Sequence, residues 1–335
     1  MRKLYYFLIV MVVATGVNAQ QVEDYEDLKN SRKHNPNSLR PVRDEDIMYS
    51  IRVVSRMDMR EKINRPWNSE KSKLIELIFE GVEKWYEEYE QSAESISADT
   101  AGIRPLSALT DGFLEADLLP KDEYFSNISD PATKSSRDMD QDQEDAFIQN
   151  LLFSNPNMTD VEKEDAIRAE NTRRATGTRF APGVVVTLEI EEDLIFDRNH
   201  STSKWDIQTV TVVITTDVLY PNDADLRASS TNVKVVRVRY KDLSRYLRKV
   251  YAESDQERGY WFNSNNPGKR EISFADAFDL RLFNSWIIQY SNTGGDNLQA
   301  ILGNPNTDQG RLSILELSQQ FKRKLLEYQH NLWEY

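Results

Sequence analysis

GVVVTLEIEEDLIFDRNHSTSKWDIQTVTVVITTDVLY, Gly183 to Tyr220, decides the fold class. Its two halves, GVVVTLEIEEDLIFD and KWDIQTVTVVITTDVLY, are rich in valine, isoleucine, threonine and aromatic residues, the types that suit a pleated, half-buried surface. They read as strands separated by RNHSTS, Arg198 to Ser203, and so able to pair as a long-loop hairpin. A third run, NVKVVRVRY, repeats the bias and leads into a helix expected over Lys241 to Ala252. Strands grouped together and bordered by helices imply an α+β protein.

Outward from this core, helices are expected over Ser273 to Asn292 and Ser313 to Trp333. On the N-terminal side, Ser69 to Gln91 sets Leu74, Leu77, Ile78, Val82, Trp85 and Tyr89 in one stripe at helical spacing, with an acidic opposite face. DEDIMYSIRVVSRMDMREKINRP, Asp44 to Pro66, also reads as a helix: Asp44 caps it, Ile47, Ile51 and Val54 share a face, and Asn64 and Pro66 stop it. A strand through Ile51 to Ser55 is the competing reading. Further helices are expected near Glu144 to Phe153 and Asp160 to Arg174. The expected architecture is a helical N-terminal half followed by a small, largely antiparallel sheet flanked by helices in the C-terminal half.

The N-terminus, MRKLYYFLIVMVVATGVNAQ, runs from Arg2 and Lys3 through an apolar stretch to Val17-Asn18-Ala19, the pattern of a secretory signal peptide cleaved after Ala19. The expected organisation is a signal peptide at 1–19, a flexible arm at 20–43, a mainly helical region with a long acidic linker at 44–180, and an α+β domain at 181–335. The chain contains no cysteine, which excludes disulfides, thiolate metal sites and a lipid attached at a processed N-terminal cysteine. An exported chain of 335 residues without cysteine fits a bacterial periplasm. The formal charge is −13, and −15 once Arg2 and Lys3 leave with the signal, which argues against nucleic acid as a partner.

The clearest candidate for chemistry is SFADAFDLRLFNSWIIQYSN, Ser273 to Asn292, in which Asp276 and Asp279 stand one helical turn apart among apolar residues. An acid pair against apolar surface suits general acid and base work, and a periplasmic hydrolase using this pair is the alternative function, with a glycan-binding protein as a further one. The local reading differs. Ser273 is a good N-cap and Asp276 occupies the third helical position, so Ser-x-x-Asp resembles a capping box. A helix N-terminus favours the ionised carboxylate, the wrong direction for a general acid, and Asp279 is expected to meet a basic neighbour.

Other motifs fall short of a site. DMDQDQED sets Asp138, Asp140 and Asp142 at calcium-loop spacing, but Gln143 stands where the turn glycine is needed and Gln149 where the bidentate acid is needed. Histidine occurs only at 34, 200 and 330, without local zinc or charge-relay spacing. NTGGDN, Asn292 to Asn297, lacks both the preceding strand and the lysine of a phosphate loop. The basic group Lys234, Arg237, Arg239, Lys241, Arg245, Arg248 and Lys249 reads as a solvated face or a patch for an acidic neighbour, such as a second copy of this chain. No catalytic, cofactor or metal residue is expected.

Three segments together resemble the GldN/PorN family: SRMDMREKINRPW, EIEEDLIFDRNHSTSKWDIQTVTVVI, and SFADAFDLRLFNSWIIQYSN with the closing LLEYQHNLWEY. The resemblance implies a non-enzymatic periplasmic ring component of the type IX secretion and gliding-motility machinery. It would self-associate in a ring with an outer-membrane lipoprotein similar to GldK/PorK, and contact an inner-membrane-anchored protein similar to GldM/PorM. The lipoprotein would supply the membrane anchor that a chain without cysteine cannot. Interface residues expected on this reading are Met57, Arg60, Glu61 and Pro66 in the first block and Trp333 and Tyr335 at the terminus. No cofactor is implied.

Overall fold

The computed structural model describes residues 38–39, 41–70, 72–91, 102–108, 117–130, 133, 141–154, 159, 162–168, 171, 177–262, 271–291 and 308–333. Its strands are β1 (Ile47–Asp58), β2 (Pro105–Leu106), β3 (Thr187–Asp197), β4 (Thr202–Ile214), β5 (Val233–Arg239), β6 (Tyr260–Phe262), β7 (Glu271–Ser273) and β8 (Trp286–Tyr290). Its helices are α1 (Leu74–Gln91), α2 (Lys121–Ile128), α3 (Gln141–Ser154), α4 (Thr216–Leu219), α5 (Ala224–Ser229), α6 (Tyr240–Glu253), α7 (Phe274–Asp279) and α8 (Asp308–Trp333). Residues 162–168 are also helical, and Arg65–Trp67 form a 3-10 turn. Among the described residues, no helix is long and apolar enough to cross a membrane.

Six strands form one antiparallel sheet in the order β2-β5-β4-β3-β1-β8, and β6 and β7 form a separate pair. The fold is therefore α+β, as expected. The β3–β4 hairpin is its centre, paired from Thr187↔Val213 to Asp197↔Thr202. One face of the sheet carries Met57, Leu188, Ile190, Val210, Val212, Val236 and Val238 into a core shared with α1, α6 and α7. Helix α1 contributes Leu74, Ile75, Ile78, Phe79, Val82 and Trp85, the stripe expected from its spacing.

The N-terminal half is less helical than expected, because β1 occupies Ile47–Asp58 where a helix was expected and lies between β3 and β8 in the sheet. The spacing was ambiguous for a physical reason. Residues four apart share a face in a helix and also in a strand, so Ile47 and Ile51 satisfy both periods and only Val54 favoured the helix. The alternation that marks a strand, with Val53, Ser55, Met57 and Met59 all buried, is masked by the polar Ser55. Pairing decides the outcome: Arg52 lies opposite Asp193 and Arg56 opposite Glu189 on β3.

The helix expected over Ser273 to Asn292 is likewise shorter. It ends at Asp279, and Trp286–Tyr290 turn into β8, which pairs with the outer edge of β1 from Val53↔Tyr290 to Arg56↔Trp286. Leu282 N donates to Ala277 O and Arg281 N to Phe278 O, both at 2.9 Å, with Arg281 at φ 53°. That is a Schellman C-cap in which arginine takes the left-handed position normally given to glycine. Helix α8 then packs Leu317 and Phe321 against β8, with Tyr290 stacked on Phe321 at 4.4 Å.

One glycine has a tertiary reason. A side chain at Gly102 would meet Trp85 N at 2.4 Å and Gly81 O at 2.7 Å, so only glycine lets this segment lie against α1 and run into β2.

Candidate functional site

The three blocks that carry the family resemblance converge in space. Trp67, fully buried, closes the first block onto the third: it stacks on Phe274 at 5.3 Å, meets Phe278 at 4.4 Å, and donates Nε1–H to Leu282 O at 3.2 Å. Asn64 joins the same two blocks. Its Nδ2 donates to Asp58 O at 2.9 Å and Asn284 O at 2.8 Å, while its Oδ1 accepts from Asn284 N at 2.8 Å. Asn284 Nδ2 in turn donates to Glu61 Oε2 at 2.8 Å.

The second block enters through ion pairs. Arg52 makes a two-pronged contact with Asp193 at 2.8 and 3.0 Å, and Arg56 reaches Glu189 at 2.7 Å, both across the β1–β3 ladder. Hydrogen bonding to Asp193 raises the Arg52 pKa against the opposing effect of burial. Arg281 pairs with both oxygens of Glu192, whose side chain is 2% exposed, and its guanidinium lies 4.7 Å from the Trp205 ring and 5.2 Å from Phe283. An arginine held in this way compensates for its unfavourable φ.

The acid pair is locked into structure. Ser273 Oγ accepts from Asp276 N at 3.0 Å, which is the expected N-cap. Asp279 meets its expected basic neighbour: Arg248 of α6 reaches Asp279 Oδ2 at 2.9 Å and Asp276 Oδ1 at 3.3 Å. Tyr240 donates to Asp279 Oδ1 at 2.7 Å, and burial first, then that hydrogen bond, pushes the Tyr240 pKa far up. Both carboxylates thus tie α7 to α6, with Arg248 and Tyr240 occupying oxygens that a general acid would turn to substrate. The arrangement can transmit force between helices; it presents no nucleophile–base pair.

Of the histidines, His200 Nδ1 lies 2.7 Å from Asp197 Oδ2 at the β3–β4 turn, His330 is exposed on α8, and His34 lies outside the described residues. Asp197 also accepts from Lys204 at 2.6 Å. Burial opposes ionisation there, but the bonds from Lys204 and His200 outweigh it and hold the carboxyl well below its ordinary range. Asp138 and Asp140 lie outside the described residues, as does Ala19. Among the described residues, no cluster of three or more His, Asp or Glu is placed to hold a metal ion.

The expected interface residues divide. Met57 is fully buried in the core and is withdrawn from the surface. Arg60, Glu61 and Pro66 share the loop that follows β1. Arg60 is half-exposed and held by Asp58 at 2.6 Å, with Asp217 at 3.9 Å. Between them Ile63 is 63% exposed, and Leu280, at the C-cap of α7, is 64% exposed. Trp333 lies in the last turn of α8, and Tyr335 lies outside the described residues.

Residues 42–334 match the family described as gliding motility associated protein GldN. The chain belongs to the GldN family. It is therefore a gliding-motility-associated component, and the match spans all three blocks. No curated protein matches the chain. The residues that sequence reasoning missed are Glu192, Asn64, Asn284 and Arg281, which hold the GldN-family blocks together. Asn64 and Glu192 stand among other polar and charged residues, so spacing alone does not single them out.

Proposed function

We propose that this GldN-family chain is a non-enzymatic structural subunit of a periplasmic ring complex of the type IX secretion and gliding-motility machinery. It self-associates and assembles with an outer-membrane lipoprotein similar to GldK/PorK, which holds it at the periplasmic face of the outer membrane. It also contacts an inner-membrane-anchored protein similar to GldM/PorM. One observation carries the non-enzymatic reading: Asp276 and Asp279, the best catalytic candidates, are both engaged by Arg248, and Tyr240 takes a further oxygen of Asp279. A subunit that bears mechanical load needs such cross-ties between helices, whereas a hydrolase needs one carboxyl left for substrate.

The assembly surface on this reading is the loop carrying Arg60, Ile63 and Pro66, together with Leu280 at the exposed C-cap of α7. Exposed apolar side chains rimmed by charge are the usual make-up of a protein contact. The test is co-expression with the lipoprotein, followed by size analysis and electron microscopy. Large rings are expected, with Ile63→Asp leaving the fold intact but impairing assembly. A chain that stays monomeric beside its lipoprotein at native concentration refutes the proposal. So does an Asp279→Asn variant that keeps fold and assembly but loses a hydrolytic activity.

A further inference from the structure

Between the sheet and α8 lies a cavity of about 230 Å3, lined by Ser55, Glu192, Trp205, Arg281, Ser285, Ile287, Lys322, Leu325 and Leu326. Its lining does not include the acid pair or Arg60. Its deepest members are Ser55, Glu192 and Ile287, each no more than 2% exposed. The Ser55 hydroxyl is buried and has no hydrogen-bond partner among the described residues, an unusual state for a polar atom in a folded interior. Lys322 stands over the same part of the sheet: Ser55 pairs with Ile287, Ile287 N donates to Ser318 Oγ at 2.8 Å, and Lys322 follows Ser318 by one helical turn.

Charge selects the ligand. Glu192 is neutralised by Arg281 through both oxygens, so the lining keeps one uncompensated positive charge, on Lys322. The Lys322 ammonium donates to Ser285 O at 2.6 Å and pairs with no carboxylate among the described residues. Partial burial first, then the nearby Arg281, lowers its pKa against the smaller opposing effects of Glu192 and Glu61, so an anion in direct contact would be welcome. The remaining walls, Trp205, Ile287, Leu325 and Leu326, are largely apolar, and the volume lies below the ~300 Å3 typical of drug-sized ligands. A phosphate would demand more donors and a second cation; a short acid with an apolar tail does not.

We propose that this cavity binds a small carboxylate bearing a branched apolar group, with the carboxylate accepting from Lys322 and Ser55 and the apolar group packed on Ile287, Leu325 and Trp205. Such a group is offered by a free short-chain acid or by the C-terminal residue of another polypeptide. The test titrates the purified protein with isovalerate and with N-acetylleucine, read by calorimetry and by the fluorescence of Trp205, and repeats both titrations with the corresponding amides. Saturable binding of at least one acid is expected, with its amide about tenfold weaker or worse, the usual effect of losing a hydrogen bond to a charged group. Lys322→Gln, at the solvent-exposed rim of the cavity, should weaken the acid by a similar factor; Ser55→Ala should weaken it severalfold. Tighter N-acetylleucine assigns a chain terminus and tighter isovalerate a free acid, and either supports the site. Acid and amide binding alike, no saturation of either acid into the tens of millimolar, or an unchanged affinity in a folded Lys322→Gln protein overturns it.

Discussion

Removing the Arg281 guanidinium should be among the most damaging single changes at the surface of this protein. The residue is about a third exposed, yet its partner Glu192 is 2% exposed and has no other cation within ion-pair distance among the described residues. Arg281→Ala leaves a buried carboxylate with only Lys322, beyond ion-pair distance, to offset it, and breaking a buried pair from one side costs about 3–5 kcal/mol. Loss of the contacts with Trp205 and Phe283 adds about 0.5–1 kcal/mol. Because Arg281 retains some solvent contact, the lower part of the range applies, about 3.5 kcal/mol in total. The double variant Glu192→Gln with Arg281→Gly behaves differently. It removes both charges and gives the φ 53° position to glycine, which recovers about 1 kcal/mol of backbone strain. The double variant should therefore lose only about 1–2 kcal/mol, less than Arg281→Ala alone. Urea unfolding followed by tryptophan fluorescence and circular dichroism measures all of these, with Glu192→Gln and Arg281→Gly as the single steps of the cycle. A loss below about 1 kcal/mol in Arg281→Ala, or strict additivity across the cycle, refutes the idea that this pair locks the second block to the third.

Trp67→Ala should lose about 3–5 kcal/mol, since the ring is fully buried between α7 and the β1 loop, and hydrogen exchange should show α7 opening first. Gly102→Ala should lower the melting temperature measurably, because the new methyl meets the backbone of α1 and not a flexible side chain; an unchanged melting curve would mean that the close approach is absent in solution. Asp197 has a folded pKa depressed below its unfolded value of about 3.9. Its contribution is therefore complete above that unfolded pKa and fades as pH falls through the folded one. Stability measured from pH 6 down to the lowest accessible pH should decline less steeply in Asp197→Asn than in wild type.

Much of the fold was legible in the amino-acid order because it depends on short-range preference. Val, Ile and Thr runs became β3, β4 and β5; the apolar stripe from Leu74 to Trp85 became α1; and the Ser273 cap appeared where a hydroxyl three residues before an acid placed it. Even the meeting of Asp279 with a cation followed from chemistry, although the identity of that cation, Arg248, 31 positions earlier, did not.

Two elements were settled by partners distant in sequence. β1 is a strand because Asp193 and Glu189 lie across from Arg52 and Arg56, and a spacing of four residues does not distinguish one period from the other. β8 is a strand because the edge of β1 supplies its hydrogen bonds, overriding a helical pattern that starts correctly at Ser273. The break between helix and strand carries no glycine or proline; it is Arg281, held in a left-handed conformation by Glu192 and Trp205. The sequence by itself thus determined the α+β class, the central hairpin and the Ser273 cap of α7. Only the tertiary structure decided which charges are buried together, and so which residues bind the three blocks into one body, because the energy of a buried ion depends on partners that local spacing does not encode.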